Sequence, residues 1–250
     1  SGADENAAVQ ALAERIGAVS DFDQVPALIA ESLDAGLSLD GTCEALGLGV
    51  ATIHLRSKYG NPLDVHMQNG VALRRYLVNR EGISTRTKVL ALLCWHTGTE
   101  TRITMGMLGL PATTDASERK GLPGVVDALL AEVERLIETH PADRQTASTG
   151  GGRAGMVMNP QARRAVAAAE AYLDAGGAPE KLVAALARLV ARDDATELHS
   201  VAGFHDSMEQ YDTSRGPTRH RHLLSAVKTV ATGFGFGDQI WAEAKSRLTA

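Results

Sequence analysis

The sequence predicts an all-α protein built from two homologous multi-helix halves related by a pseudo-twofold axis. Three observations carry that expectation. The chain has 250 residues, 44% hydrophobic and only 4% aromatic, is rich in alanine and leucine, and has few runs of strand periodicity. The segment LDAGLSLDGTCEAL (33–46) returns as LDAGGAPEKLVAAL (173–186) at an offset of 140, with LDAG identical. After seven fewer residues in the second copy, Asp64, Val65 and His66 align with Glu197, Leu198 and His199 at an offset of 133. That register then continues without a gap, pairing Gly70 with Gly203, Thr85 and Arg86 with Thr218 and Arg219, and Leu90 with Leu223. A repeat of this kind constrains every element inside it.

Periodicity and punctuation place the elements. The N-terminal AAVQALAERIGAV forms one helix, and the first half continues with helices near 25–35, 39–57, 63–78 and 85–97, for which Asp40 and Ser84 are expected N-caps of the second and fourth. LPGVVDALLAEVERLIETH adds a connecting helix with Leu129, Val133, Leu136 and Ile137 on one face. The expected organisation is a first repeat with its N-terminal and connecting helices over 1–141, a linker over 142–159, and a second repeat over 160–250, the two repeats packed as one unit. The linker assignment rests on the Gly, Ser and Thr content of PADRQTASTGGGRAG. Second-half helices fall near 160–175, 179–193, 196–211 and 217–232, with Pro179 and Pro217 suited to first-turn positions, and GDQIWAEAKSRL closes the chain.

Composition bounds the function. A net charge of −5 and a pI near 5.9 argue against a general nucleic-acid binder, and no stretch reaches the ~20 apolar residues of a membrane span. Cys43 and Cys94 lie in apolar periodic segments without CxxC spacing, so both read as buried, reduced thiols of a cytoplasmic protein. Assembly as a homodimer stays open.

The chemistry gathers in one region. Thr196–Leu224 holds four of the eight histidines and four carboxylates within 29 residues. On a helical wheel His199, His205, Asp206 and Glu209 share one arc, with His205 and Glu209 at the i,i+4 spacing that lets two side chains meet one ion. Val201, Phe204, Met208 and Tyr211 form a stripe on the other side, so the polar arc could equally be a solvated face. The repeat favours a site: equivalent positions of the first copy hold His66, Asn69, Leu73, Tyr76 and Leu77, an apolar face expected to look inward, and buried charges need partners or a metal. On the next helix, His220 shares the face of Leu223, Leu224, Val227 and Val230, with His222 at its edge. The basic run around Arg219 could hold an anion. His54, His96 and His140 have weaker claims. No HExxH, GxSxG, GxxxxGK[ST] or ExxH motif is present.

The segments PLDVHMQNGVALRRYL…ISTRTKVLALL and DDATELHSVAGFHDSMEQY…RHRHLL resemble parts of questin oxidase-like proteins. They are also similar to a bacterial helical domain that sometimes accompanies Rieske-type ferredoxin domains. The resemblance implies an oxygen-inserting reaction on an aromatic compound, using O2 and a reductant. Only His66 and His199, with Asp64 and Glu197 before them, match well enough to carry over. The chain lacks a Rieske CxH…CxxH signature, so a separate ferredoxin or reductase would donate the electrons.

These readings give a metal-dependent oxidoreductase or oxygenase acting on a small organic substrate, with iron the first choice and zinc or manganese the others. His66, His199, His205, Glu209 and His222 are the expected ligands, and Asp64, Glu197, Asp206 and Arg219 the groups that orient them. His66, His199 and His220 are the expected catalytic residues. Two alternatives stand beside it: a noncatalytic helical module whose histidines and carboxylates form a hydrogen-bonded network, and a metal-free oxygenase using histidine bases.

Overall fold

The computed structural model describes residues 2–58, 66–94, 99–139, 160–192, 199–234 and 239–248. Among them are twelve α-helices and no strand beyond an isolated bridge between Ser57 and Leu108. In chain order the helices are α1 (Gly2–Ala18), α2 (Val25–Asp34), α3 (Leu39–Arg56), α4 (His66–Asn79), α5 (Thr85–Leu93) and α6 (Thr99–Gly106). They continue with α7 (Val126–Glu138), α8 (Pro160–Asp174), α9 (Pro179–Val190), α10 (His199–Thr213), α11 (His220–Gly233) and α12 (Gln239–Leu248). None of the described helices is long and apolar enough to cross a membrane. The expected linker, His96 and His140 lie outside the described residues, as do Asp64 and Glu197.

The two LDAG motifs do the same local job. Gly36 and Gly176 both adopt positive φ, 95° and 80°, just past the ends of α2 and α8. Their N–H groups donate to Leu33 and Leu173, while the following N–H groups of Leu37 and Gly177 donate to Ser32 and Tyr172. This double closure satisfies carbonyls that a helix end leaves open, and glycine adopts the left-handed conformation without a Cβ penalty. Ser84 caps α5 by accepting from the Thr87 N–H. The cap of α3 is Ser38 rather than Asp40: Ser38 accepts from the Gly41 N–H, and Asp40 sits in the first turn facing arginines.

Two apolar cores result. One joins α1 to α5 through Leu12, Ile16, Phe22, Ile29, Leu46 and Ile53. The other joins α7, α8, α9 and α11 through Val133, Ile137, Tyr172, Leu186 and Val227. The connecting helix α7 has the face expected of it, and that face packs into the second core. Between the cores, α3 packs on α11 and α4 packs on α10. The two groups of five helices, α1–α5 and α7–α11, pack differently: α1 lies mainly on α3 and α7 mainly on α8, and α11 is buried along almost its whole length, whereas α5 buries only Leu92.

Close approach requires glycine at Gly49, where a Cβ would lie 2.4 Å from Ile16 Cγ2 and 3.2 Å from the Ala13 carbonyl oxygen. Gly49→Ala should therefore separate α1 from α3 and destabilise the protein by about 1–3 kcal/mol. A chemical-denaturation midpoint no lower than that of the wild type would contradict this packing.

Candidate functional site

The residues singled out by sequence fall into three places. The first is the seam where α4 meets α10, at whose N-terminal ends the His66 and His199 rings meet edge to face with centroids 5.5 Å apart. His66 is exposed and His199 half-buried. The second grouping begins six residues further along α10, or about 9 Å at 1.5 Å per residue. Here His205, Asp206 and Glu209 each offer a ligand atom, all within 4.8 Å of one another. His205 Nδ1 lies 3.3 Å from Asp206 Oδ1. His205 and Glu209 are exposed, whereas Asp206 is largely covered and lines a small cavity behind the helix. Burial pushes the Asp206 carboxyl above the usual carboxylate range, with His205 opposing the shift.

Two expectations about this face need correction. Leu73, Tyr76 and Leu77 do not look inward; they are 64%, 56% and 40% exposed, because α4 buries Met67, Gln68, Val71, Ala72, Arg75 and Val78 instead. The α10 arc is correspondingly a rim, with His205 and Glu209 on its outer side. Cys94 is exposed just past α5, while Cys43 is buried and its thiol pushed up to about 12 by burial.

The third place is the start of α11, where His220 and His222 part company. His220 is half-buried, stacks on Tyr211 at 6.1 Å, and lines a cleft with Asp174, Thr218, Arg221 and Leu224. Burial, and then Arg219, lower its proton affinity. Arg219 lies over the opposite partner in that stack, 4.6 Å from the Tyr211 ring centre. His222, in contrast, is 2% exposed and pairs through Nε2 with Ser214 Oγ at 3.2 Å. It belongs to a buried polar seam rather than to the surface grouping.

That seam contains the residues sequence reasoning passed over. Lys228, 6% exposed within α11, donates to the carbonyls of His54, in the last turn of α3, and of Ser57, its C-cap; the His54 carbonyl also accepts from the Ser57 N–H. His54 Nδ1 lies 2.8 Å from Ser225 Oγ and 3.0 Å from Gln68 Nε2. Arg75 on α4 does for α10 what Lys228 does for α3: it donates to the Thr213 carbonyl at 3.0 Å, and also to Gln210 and Asp40. Glu44, 1% exposed, accepts from the Arg215 backbone and guanidinium. The available signal was an ionisable residue inside an apolar helical run, as in TCEALGL and LLSAVKTVATG, since such groups are buried only with partners.

Both buried histidines are held neutral. Burial followed by Lys228 lowers His54 well below 6.5, and burial followed by Arg75 and Arg221 lowers His222 to about 3. A histidine depressed on folding stabilises the protein above its unfolded value, and that stability drains away as pH falls below it. Unfolding free energy should therefore decline from pH 6.5 downward by about 1.4 kcal/mol per pH unit for each histidine. His222→Gln should shallow the slope between pH 6.5 and 5, as read from urea midpoints. An unchanged slope would mean that His222 is not held neutral.

Comparison with known proteins finds no matching family model, no similar curated protein and no similar solved structure.

Proposed function

We propose that the protein is a metal-dependent oxidoreductase of small organic molecules that holds its ion on α10 through His205, Asp206 and Glu209. The observation supporting it is the convergence of these three ligand groups within 4.8 Å on one helix face. Their chemistry fits: one imidazole and two carboxylates suit Fe(II), with Mn(II) or Zn(II) as alternatives, and three protein ligands leave coordination positions open. When bound, such an ion supplies Lewis acidity or redox capacity. The protein groups hold and move protons. Burial raises the proton affinity of Asp206, so at this carboxylate a bound ion would compete with a proton. The His66–His199 pair lies further along the same seam and offers imidazole bases to a phenolic substrate. The oxidative part of the reading rests on the resemblance to questin oxidase-like proteins, with a separate ferredoxin or reductase as donor. In the same proposal the halves are duplicates, a reading supported by their equivalent LDAG caps.

A second reading is a noncatalytic partner-binding module. It is favoured by the exposed Leu73, Tyr76 and Leu77, which share one face of α4, and by Leu90 on α5.

Calorimetric titration of protein purified without a histidine tag separates the two. The metal reading expects one Fe(II), Mn(II) or Zn(II) per chain, at least tenfold weaker binding in His205→Ala, Asp206→Asn or Glu209→Ala, and no loss in His222→Gln. Affinity should also weaken as the solution is made more acidic, because protons compete with the ion for its ligands. Absence of stoichiometric binding would remove the metal reading and leave the module.

A further inference from the structure

Four helices, α3, α4, α10 and α11, border a small, partly open cavity whose lining includes Gly47, Gln68, Asp206, Ser207, Gln210 and His222. Its free space, about 10 Å³ for the centre of a water-sized sphere, fits one water and nothing larger. Three of its lining side chains are 2–5% exposed, and each carries a polar atom without a hydrogen-bond partner: Gln68 Oε1, Ser207 Oγ and Gln210 Nε2. Leaving a buried donor or acceptor unmade costs about 1–3 kcal/mol, so three around one void are a strong demand for a ligand. The other ends of both amides are already engaged, Gln68 Nε2 with Ser225 and His54, Gln210 Oε1 with Arg75. Rotating the Gln68 amide would exchange its free acceptor for a free donor, and one end would still face the cavity unpaired.

We propose that this cavity is a binding site for a single water molecule that bridges Gln68, Ser207 and Gln210 and lies against the inner side of Asp206. Charge selects a neutral ligand. The Arg75 guanidinium, bonded to the lining Gln210, opposes a cation, and the Asp206 carboxyl on the wall opposes an anion. Water can both donate and accept, as the mixture of free carbonyl, hydroxyl and amide requires. The site also accounts for Gly47 in the middle of a helix, where glycine costs about 1 kcal/mol relative to alanine. A Cβ there would lie 2.7 Å from Gln210 Oε1 and displace the amide. The proposal does not depend on a metal at the α10 rim.

A crystal structure of the full chain at a resolution that shows ordered solvent tests it. The expected result is one isolated density peak within hydrogen-bond distance of Gln68, Ser207 and Gln210, refining as water. An empty cavity, or density for an ion or a larger molecule, would overturn the proposal. Ser207→Val fills the void with apolar atoms, so in that variant the peak should vanish; a peak that persists would overturn the assignment of Ser207. Should that variant fail to crystallise, water-to-amide NOE transfer onto the Gln210 side chain of the wild type reads the same site, and absence of a long-lived water signal counts against it.

Discussion

The two cores of this protein are joined by hydrogen bonds that have to be made. α3 and α11 are both buried along nearly their full lengths, and the surface on which they meet carries Thr52, His54, Ser225 and Lys228. A buried ammonium without acceptors is costly, so the Lys228 bonds to the His54 and Ser57 carbonyls at the end of α3 fix how far α11 can slide. Arg75 sets α4 against the end of α10 in the same way. Apolar packing is tolerant of small shifts; a lysine bonded to two carbonyls and a carboxylate shared between two arginines are not.

This seam determines where chemistry can take place. Its inner side is held neutral or paired: His54 and His222 are kept from protonating, and Glu44 is neutralised by Arg215. Groups free to bind something lie at its outer edge, where α10 turns His205 and Glu209 to solvent. Asp206 stands between the two environments, touching His205 on one side and the small inner cavity on the other. A carboxyl in that position senses both the ion proposed at the rim and the hydrogen bonding behind it.

Much of the fold was legible because it is written in short-range patterns. The LDAG turns, the Ser84 cap and the apolar face of α7 follow from the chain's own periodicity and from glycine's left-handed freedom. The site was legible only in part. Sequence placed His199, His205, Asp206 and Glu209 on one helix arc, but the repeat suggested that the arc faced inward, by analogy with Leu73, Tyr76 and Leu77, which are themselves exposed. The failure lies in tertiary packing: α4 has apolar residues on two faces and turns inward the one with Met67, Val71 and Val78, whose Gln68 and Arg75 complete the seam, and no local signal distinguishes that face from the one with Leu73, Tyr76 and Leu77. The separation of His222 from His220 has the same origin, since two residues on a helix point in different directions and only the neighbours decide which one is buried.

Whether the rim of α10 is a metal centre can be read directly from anomalous diffraction of crystals grown with Mn(II) or Zn(II), recorded on either side of the metal's absorption edge. The account predicts one strong anomalous peak bonded to His205, Asp206 and Glu209. A peak only between His66 and His199, or none at all from crystals equilibrated with excess ion, would contradict it.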